Sequence, residues 1–211
     1  MPFSNQNQIT IEKTPKYFID QEVPKRVYKM NPKMKLIIVL RDPVTRAISD
    51  YTQSLEKLNK TSNKNNSIKQ KEFEKMLFDL NGEIRANWSI VRNGMYYIHL
   101  KNWLKYFPLG QILFVNGEEL IKNPYNEIKK VEEFLNLKPV IQEKHFIFNL
   151  RKGFPCIMKP LDSGTIRCLN DQKGRKHPLV PVDVLDKLNK FYKPYSEALF
   201  RKIKQKPFWP L

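Results

Sequence analysis

The segment KLIIVLRDPVTRAISDYTQ, residues 35–53, changes its periodicity in the middle. KLIIVL at 35–40 is a short apolar run bounded by charge, the pattern of a buried parallel strand. Arg41, Asp42 and Pro43 follow at once. Pro43 suits the first turn of a helix, where a missing N–H costs nothing, and Val44, Ile48, Tyr51 and Leu55 then recur at helical spacing up to Leu58. The segment therefore reads as strand, turn and helix.

Working outward, KLNKTSNKNNSIKQK at 57–71 has few apolar residues and reads as an exposed loop. GMYYIHLKNWLKYF at 94–107 has helical spacing and is ended by Pro108, and QILFVN at 111–116 reads as a second strand. Asn123-Pro124 opens a helix with Ile128, Val131, Phe134 and Leu135 on one face. HFIFNL and GFPCIM read as short extended pieces, and a last helix spans Val182 to Lys202 with Pro194 interrupting it. Helices alternating with strands predict an α/β layered domain with a parallel sheet. Only two parallel strands are convincing, which is few for such a domain.

The chain has 211 residues, 41% of them hydrophobic, enough for one globular domain over 1–211 but too few for two full ones. Lys and Arg number 38 against 21 Asp and Glu. The net charge of +17 points to a polyanionic partner, whether nucleic acid, acidic lipid or sulfated glycan. No stretch approaches the roughly 18 apolar residues of a membrane span, and MPFSNQNQIT lacks the regions of a signal peptide. Taken alone, that reads as soluble and untargeted. Other features point to an oxidising compartment. Cys156 and Cys168 are the two cysteines, separated by a loop rich in turn-formers and charge, and read as a local disulfide, with two free thiols as the alternative. Sequons stand at Asn59, Asn65 and Asn87.

Three places carry the residue types of anion binding. Arg41 at a strand end faces a helix start whose next turns present Thr45, Arg46 and Ser49. Unpaired N–H groups, the dipole's positive end, an Arg and a hydroxyl together make a phosphate pocket. An ordinary Arg–Asp pair with a solvent-facing Ser is the competing reading. Around the cysteines, Lys152-Gly153-Phe154 and Lys173-Gly174-Arg175 combine glycines, which let backbone N–H groups turn toward an anion, with cations. Phe154 is either a flat face for a purine or a core residue. Lys13-Thr14-Pro15-Lys16 brackets a proline with two ammonium groups, or is simply a solvated loop. Trp88-Ser89 offers a stacking and hydrogen-bonding surface for a sugar, or packs a helix. There is no GxGxxG, complete P-loop, HExxH or paired CxxC, and His99, His145 and His177 lack metal-ligand spacing, so no metal is expected.

Taken together, EKTPKYF, VYKMNP, LIIVLRDPVTRAISDYTQ, NWLKYFPL, KGFPC and QKGRKHP make the chain resemble the heparan sulfate glucosamine 3-O-sulfotransferases from about Glu12 to Trp209. The resemblance implies a P-loop-like sulfotransferase fold, a parallel sheet flanked by helices. It implies 3′-phosphoadenosine 5′-phosphosulfate (PAPS) as sulfate donor, heparan sulfate as partner rather than nucleic acid, and a Golgi lumenal enzyme whose membrane anchor lies outside this sequence. Carried over residue by residue, Arg41 and Ser49 would bind the 3′-phosphate and Phe154 would stack on adenine. Lys173, Gly174, Arg175, Lys176 and His177 would close over the nucleotide. Lys13, Thr14, Pro15, Lys16, Gln53, Trp88 and Ser89 would contact the glycan, with Lys13 also beside the transferring sulfuryl group as the catalytic lysine.

The family's catalytic glutamate and glycine-rich 5′-phosphosulfate loop precede the KTP motif, and the twelve residues before Lys13 match neither. The expectation is accordingly a sulfotransferase domain missing its N-terminal βαβ unit, either a fragment or a truncated product that binds without catalysis, and inactive alone. A catalytically dead glycan-binding module and a basic nucleic-acid binder are the rival readings.

Overall fold

The computed structural model of the chain describes residues 5, 8–61, 69–169 and 177–211. In chain order, a 3₁₀ turn Pro15–Phe18 leads to helix α1 (Val23–Met30), strand β1 (Leu36–Leu40), and helices α2 (Pro43–Thr61) and α3 (Lys69–Leu77). Helices α4 (Ser89–Arg92) and α5 (Tyr96–Trp103) precede strand β2 (Ile112–Asn116), which is followed by α6 (Gly117–Lys122) and α7 (Pro124–Leu135). Strands β3 (Phe146–Asn149), β4 (Phe154–Met158) and β5 (Ile166–Arg167) and helix α8 (Val182–Ile203) complete the order.

β1 and β2 pair in parallel, with Leu36 opposite Ile112 and Leu40 opposite Asn116. β3, β4 and β5 form a separate antiparallel sheet in that order. The expected parallel strands and flanking helices are thus present. The expectation that β1 is buried holds for one face only: Leu36, Ile38 and Leu40 pack into the core, but Ile37 and Val39 are 38% and 53% exposed. Helix α7 packs against β2, where Val115 opposite Val39 is buried, and the cover does not extend over Ile37 and Val39.

Two apolar clusters hold the layers together. One joins Val44, Ala47, Ile48 and Tyr51 of α2 to Ile90 and Val91 of α4 and Leu188 and Tyr192 of α8. The other joins Leu40 and Phe114 of the sheet to Leu100 and Trp103 of α5, with Leu199, Phe200 and Trp209 closing it. Burying each of the large aliphatic or phenylalanine side chains among them contributes on the order of 2 kcal/mol.

Helical spacing locates the helices better than their ends. The 94–107 helix is confined to α5, and Gly94 before it packs against the Tyr192 ring, where an added Cβ would lie 2.8 Å from a ring carbon. The polar stretch at 57–71 is partly helical, since α2 runs on to Thr61 and α3 starts at Lys69, while 62–68 lie outside the described residues. Pro194 does not interrupt α8, which is helical through Ile203. The helix is clamped on both sides of the proline by the fully buried Leu188 and Leu199, which outweighs a local cost of about 3 kcal/mol.

Candidate functional site

Parallel pairing ends both strands at the same level, so the residues that follow Leu40 and Asn116 are neighbours. Arg41 leaves β1 here, half-buried, and is gripped at three points. Its carbonyl oxygen accepts a hydrogen bond from the Tyr96 hydroxyl at 2.9 Å. Its Cγ lies against Gly117, where an added Cβ would come within 2.6 Å of it and 2.7 Å of the Leu40 carbonyl oxygen. Its Nε donates to Glu118 Oε1 at 3.2 Å. Among the described residues, no acceptor takes the N–H groups of the two Nη nitrogens. Burial pushes the Tyr96 phenol up to about 12 against the pull of the Arg46 charge, so the hydroxyl remains a donor at neutral pH.

The start of α2 differs from the open helix end expected from the sequence. The Asp42 carboxylate accepts from Val44 N at 2.9 Å and from the Thr45 hydroxyl at 2.8 Å, so Asp42 itself caps the helix. Arg46 turns to structural work, donating to Asp50 at 2.9 Å and to the Ile90 carbonyl oxygen. Thr45 and Arg46 are therefore engaged within the protein, which leaves Arg41 and the half-buried Ser49, two turns into α2, as the anion-facing candidates.

Of the second basic segment, the described part is its end at His177. Lys173, Gly174, Arg175 and Lys176 lie outside the described residues. Local desolvation, and then the Arg41 charge, hold the His177 imidazole below its usual range. Two positions 136 residues apart in sequence (41 and 177) thus share one electrostatic neighbourhood. Phe154, half-buried, opens β4, which packs against α6, the helix that carries Glu118. Gly153 before it has φ +72°, a left-handed conformation suited to glycine, and Lys152 N donates to the Asn149 side chain at 3.0 Å. Cys156 and Cys168 are joined, resolving the choice between bridge and free thiols in favour of the bridge.

The expected glycan-facing residues stand at the 3₁₀ turn, on α2 and at the start of α4. Lys13 and Lys16 are exposed on either side of Thr14-Pro15, and the Thr14 hydroxyl donates to Glu12 at 2.7 Å. The ring of Phe18, just after this segment, lies 6.4 Å from that of Tyr96, the residue bonded to the Arg41 carbonyl oxygen. Gln53 is exposed on α2 and Ser89 is exposed at the start of α4. The Trp88 ring sits 6.2 Å from Tyr51 and 5.9 Å from Phe73, so it packs helices while keeping a partly accessible face. Of the sequons, Asn87 is exposed and Asn65 lies outside the described residues.

Comparison with known proteins agrees with this architecture. The sulfotransferase domain family model matches residues 11–206. The chain belongs to the sulfotransferase family. It is 46% identical over 209 residues to heparan sulfate glucosamine 3-O-sulfotransferase 6 of Mus musculus, covering 99% of this chain and 59% of that protein. Against heparan sulfate glucosamine 3-O-sulfotransferase 3A1 of Mus musculus it is 45% identical over 203 residues, covering 95% and 49%. The sulfotransferase chain therefore spans about half to three-fifths of the length of these relatives. A crystal structure of a sulfotransferase from Alicyclobacillus acidocaldarius superposes with a TM-score of 0.58 at 19% identity, over 90% of this chain and 62% of that one, and shares the fold.

Tyr96, Gly117 and Glu118 have no place in the sequence reading. The available signal is the NGE triplet that begins with the last residue of the second strand: once β1 and β2 are paired in parallel, it adjoins Arg41.

Proposed function

We propose that this chain supplies the nucleotide- and glycan-holding part of a heparan sulfate glucosamine 3-O-sulfotransferase. The reaction transfers a sulfuryl group from PAPS to the 3-hydroxyl of a glucosamine residue. The observation that carries the reading is Arg41, fixed through its backbone, Cγ and Nε while its Nη donors have no described protein acceptor, in a chain about 45% identical to enzymes of that name. A pre-oriented guanidinium suits bidentate recognition of a phosphate.

When bound, PAPS supplies an activated sulfuryl group to a sugar hydroxyl. Arg41 and Ser49 hold its 3′-phosphate, Phe154 stacks on adenine, and the 173–177 segment contributes cations around it. Lys13 places an ammonium group where negative charge builds on the bridging oxygen during transfer. Lys16, Gln53 and Ser89, with the accessible face of Trp88, contact the sulfated glycan on either side. The disulfide supports a lumenal, oxidising compartment, and we assign the protein to the Golgi lumen on that ground and on the enzymes it resembles.

Calorimetric titration with adenosine 3′,5′-bisphosphate tests the reading. Arg41→Ala should weaken binding at least tenfold, since losing a charge-assisted hydrogen bond costs on the order of 2 kcal/mol. Unchanged affinity in a folded Arg41→Ala protein would remove Arg41 from the site.

A further inference from the structure

We infer that Glu118 is a positioning residue for the Arg41 guanidinium, determining which of its N–H groups remain for an anionic ligand. The inference rests on the reading of Arg41 as a phosphate ligand. A carboxylate beside a phosphate site is, on charge alone, unfavourable. Its geometry explains its presence. Glu118 Oε1 accepts two hydrogen bonds at 3.2 Å, one from Arg41 Nε and one from the Asp42 backbone N–H. One oxygen thereby ties the guanidinium to the backbone at the strand exit.

Glu118 is itself fixed. The Asn116 side chain accepts from Glu118 N at 3.0 Å and from Glu119 N at 3.3 Å, setting the start of α6. Gly117 lets Arg41 Cγ and the Leu40 carbonyl come close enough for the contact. The triplet Asn116-Gly117-Glu118 thus acts as one clamp on Arg41. Engaging Nε leaves the pair of Nη nitrogens for a ligand. Both side chains are partly open, 32% exposed for Arg41 and 25% for Glu118, so solvent screens the carboxylate's repulsion of a phosphate, while the hydrogen-bond geometry is not lost to screening.

The experiment separates acceptor geometry from charge. Adenosine 3′,5′-bisphosphate is titrated into the wild-type chain, Glu118→Ala, Glu118→Gln and Arg41→Ala, with melting curves recorded on each unliganded protein. Glu118→Ala is expected to bind about tenfold more weakly, the scale of one charge-assisted hydrogen bond. Glu118→Gln, which keeps an oxygen acceptor and drops the charge, should restore affinity to the wild-type value or better. A purely structural role would not give this pattern at equal melting temperature. If both Glu118 variants bind as tightly as wild type, or both weaken equally, the positioning role is overturned, while a weak Arg41→Ala still upholds Arg41. If wild type does not bind, or Arg41→Ala binds as wild type does, the reading of Arg41 fails and this inference with it. Should Glu118→Ala not fold, nitrogen-15 NMR of the wild-type arginines decides. The Arg41 Nε–H signal is expected to stay put on nucleotide addition while the Nη signals move, and a dominant shift at Nε overturns the inference.

Discussion

The Tyr96 hydroxyl donates to the carbonyl oxygen of Arg41 at 2.9 Å, so a helix of the central core holds the backbone of the candidate phosphate ligand. The ring of Phe18, just after the KTPK segment, packs on one part of Tyr96, and the ring of Trp209, near the chain's other end, lies edge-on to it at 5.9 Å. A single phenol therefore connects these remote parts of the chain to the strand exit. Tyr96→Phe keeps the packing and deletes the bond. It should lower stability by about 1–2 kcal/mol, because the Arg41 carbonyl loses a partner, and should weaken nucleotide binding with it. Urea unfolding and calorimetry on the same protein check both, and a variant unchanged in both would show that the bond is incidental.

The Cys156–Cys168 bridge gives a second prediction. It links β4 to the residue after β5, closing a loop of 12 positions immediately before the segment 170–176. Peptide mapping without reduction should recover the two cysteines linked. Replacing both by serine should cost about 3 kcal/mol, mainly by freeing the unfolded chain. Two alkylatable thiols in folded protein would contradict the bridge and the lumenal assignment together.

Much of the fold is legible in local patterns, and much of the site is not. The β1–α2 unit declares itself through an apolar run followed by Pro43 and apolar residues at helical spacing. Arg41 can be singled out because it sits at that junction. Its partners cannot, since Tyr96 and Glu118 are 55 and 77 residues away and are brought in only by the packing of α5 and the parallel register. Asp42 illustrates the opposite failure: three residues of sequence suggest an open helix end, yet its own carboxylate closes it. Pro194 misleads for a similar reason, because local propensity yields to buried contacts on both sides of it.

His177 is expected to make nucleotide binding sensitive to pH. Desolvation and the Arg41 charge lower its pKa from 6.5, so the free protein carries it neutral at pH 7. With the folded pKa depressed, its contribution to stability is present above about 6.5 and is lost as pH falls through the folded value. A bound phosphate acts the other way and favours the imidazolium. Nucleotide binding should therefore take up protons and tighten as the pH is lowered from about 7 toward about 6. Calorimetry in buffers of different ionisation enthalpy measures the uptake, and His177→Gln should abolish it. An uptake that persists in His177→Gln would assign the effect to another group.

The choice of polyanion is the last test, because a net charge of +17 draws any of them. A nonspecific basic surface responds to total charge and loses affinity steeply with salt. A glycan site instead recognises sulfate groups at sugar spacing through residues that differ in chemistry: the exposed ammonium groups of Lys13 and Lys16, the exposed amide of Gln53, and the accessible face of Trp88. Gln53 and Trp88 carry no charge, so they distinguish the two cases. N-sulfated heparan oligosaccharides are expected to displace a labelled glycan far better than single-stranded DNA of equal charge. Gln53→Ala should weaken glycan binding severalfold and leave DNA binding unchanged, whereas Lys13→Ala should weaken both, the glycan more, since an ammonium group at a fixed site does more than add to a diffuse potential. Equal competition by DNA, with Gln53→Ala silent, would mean that charge alone explains the binding and would remove the glycan contacts from the proposed site.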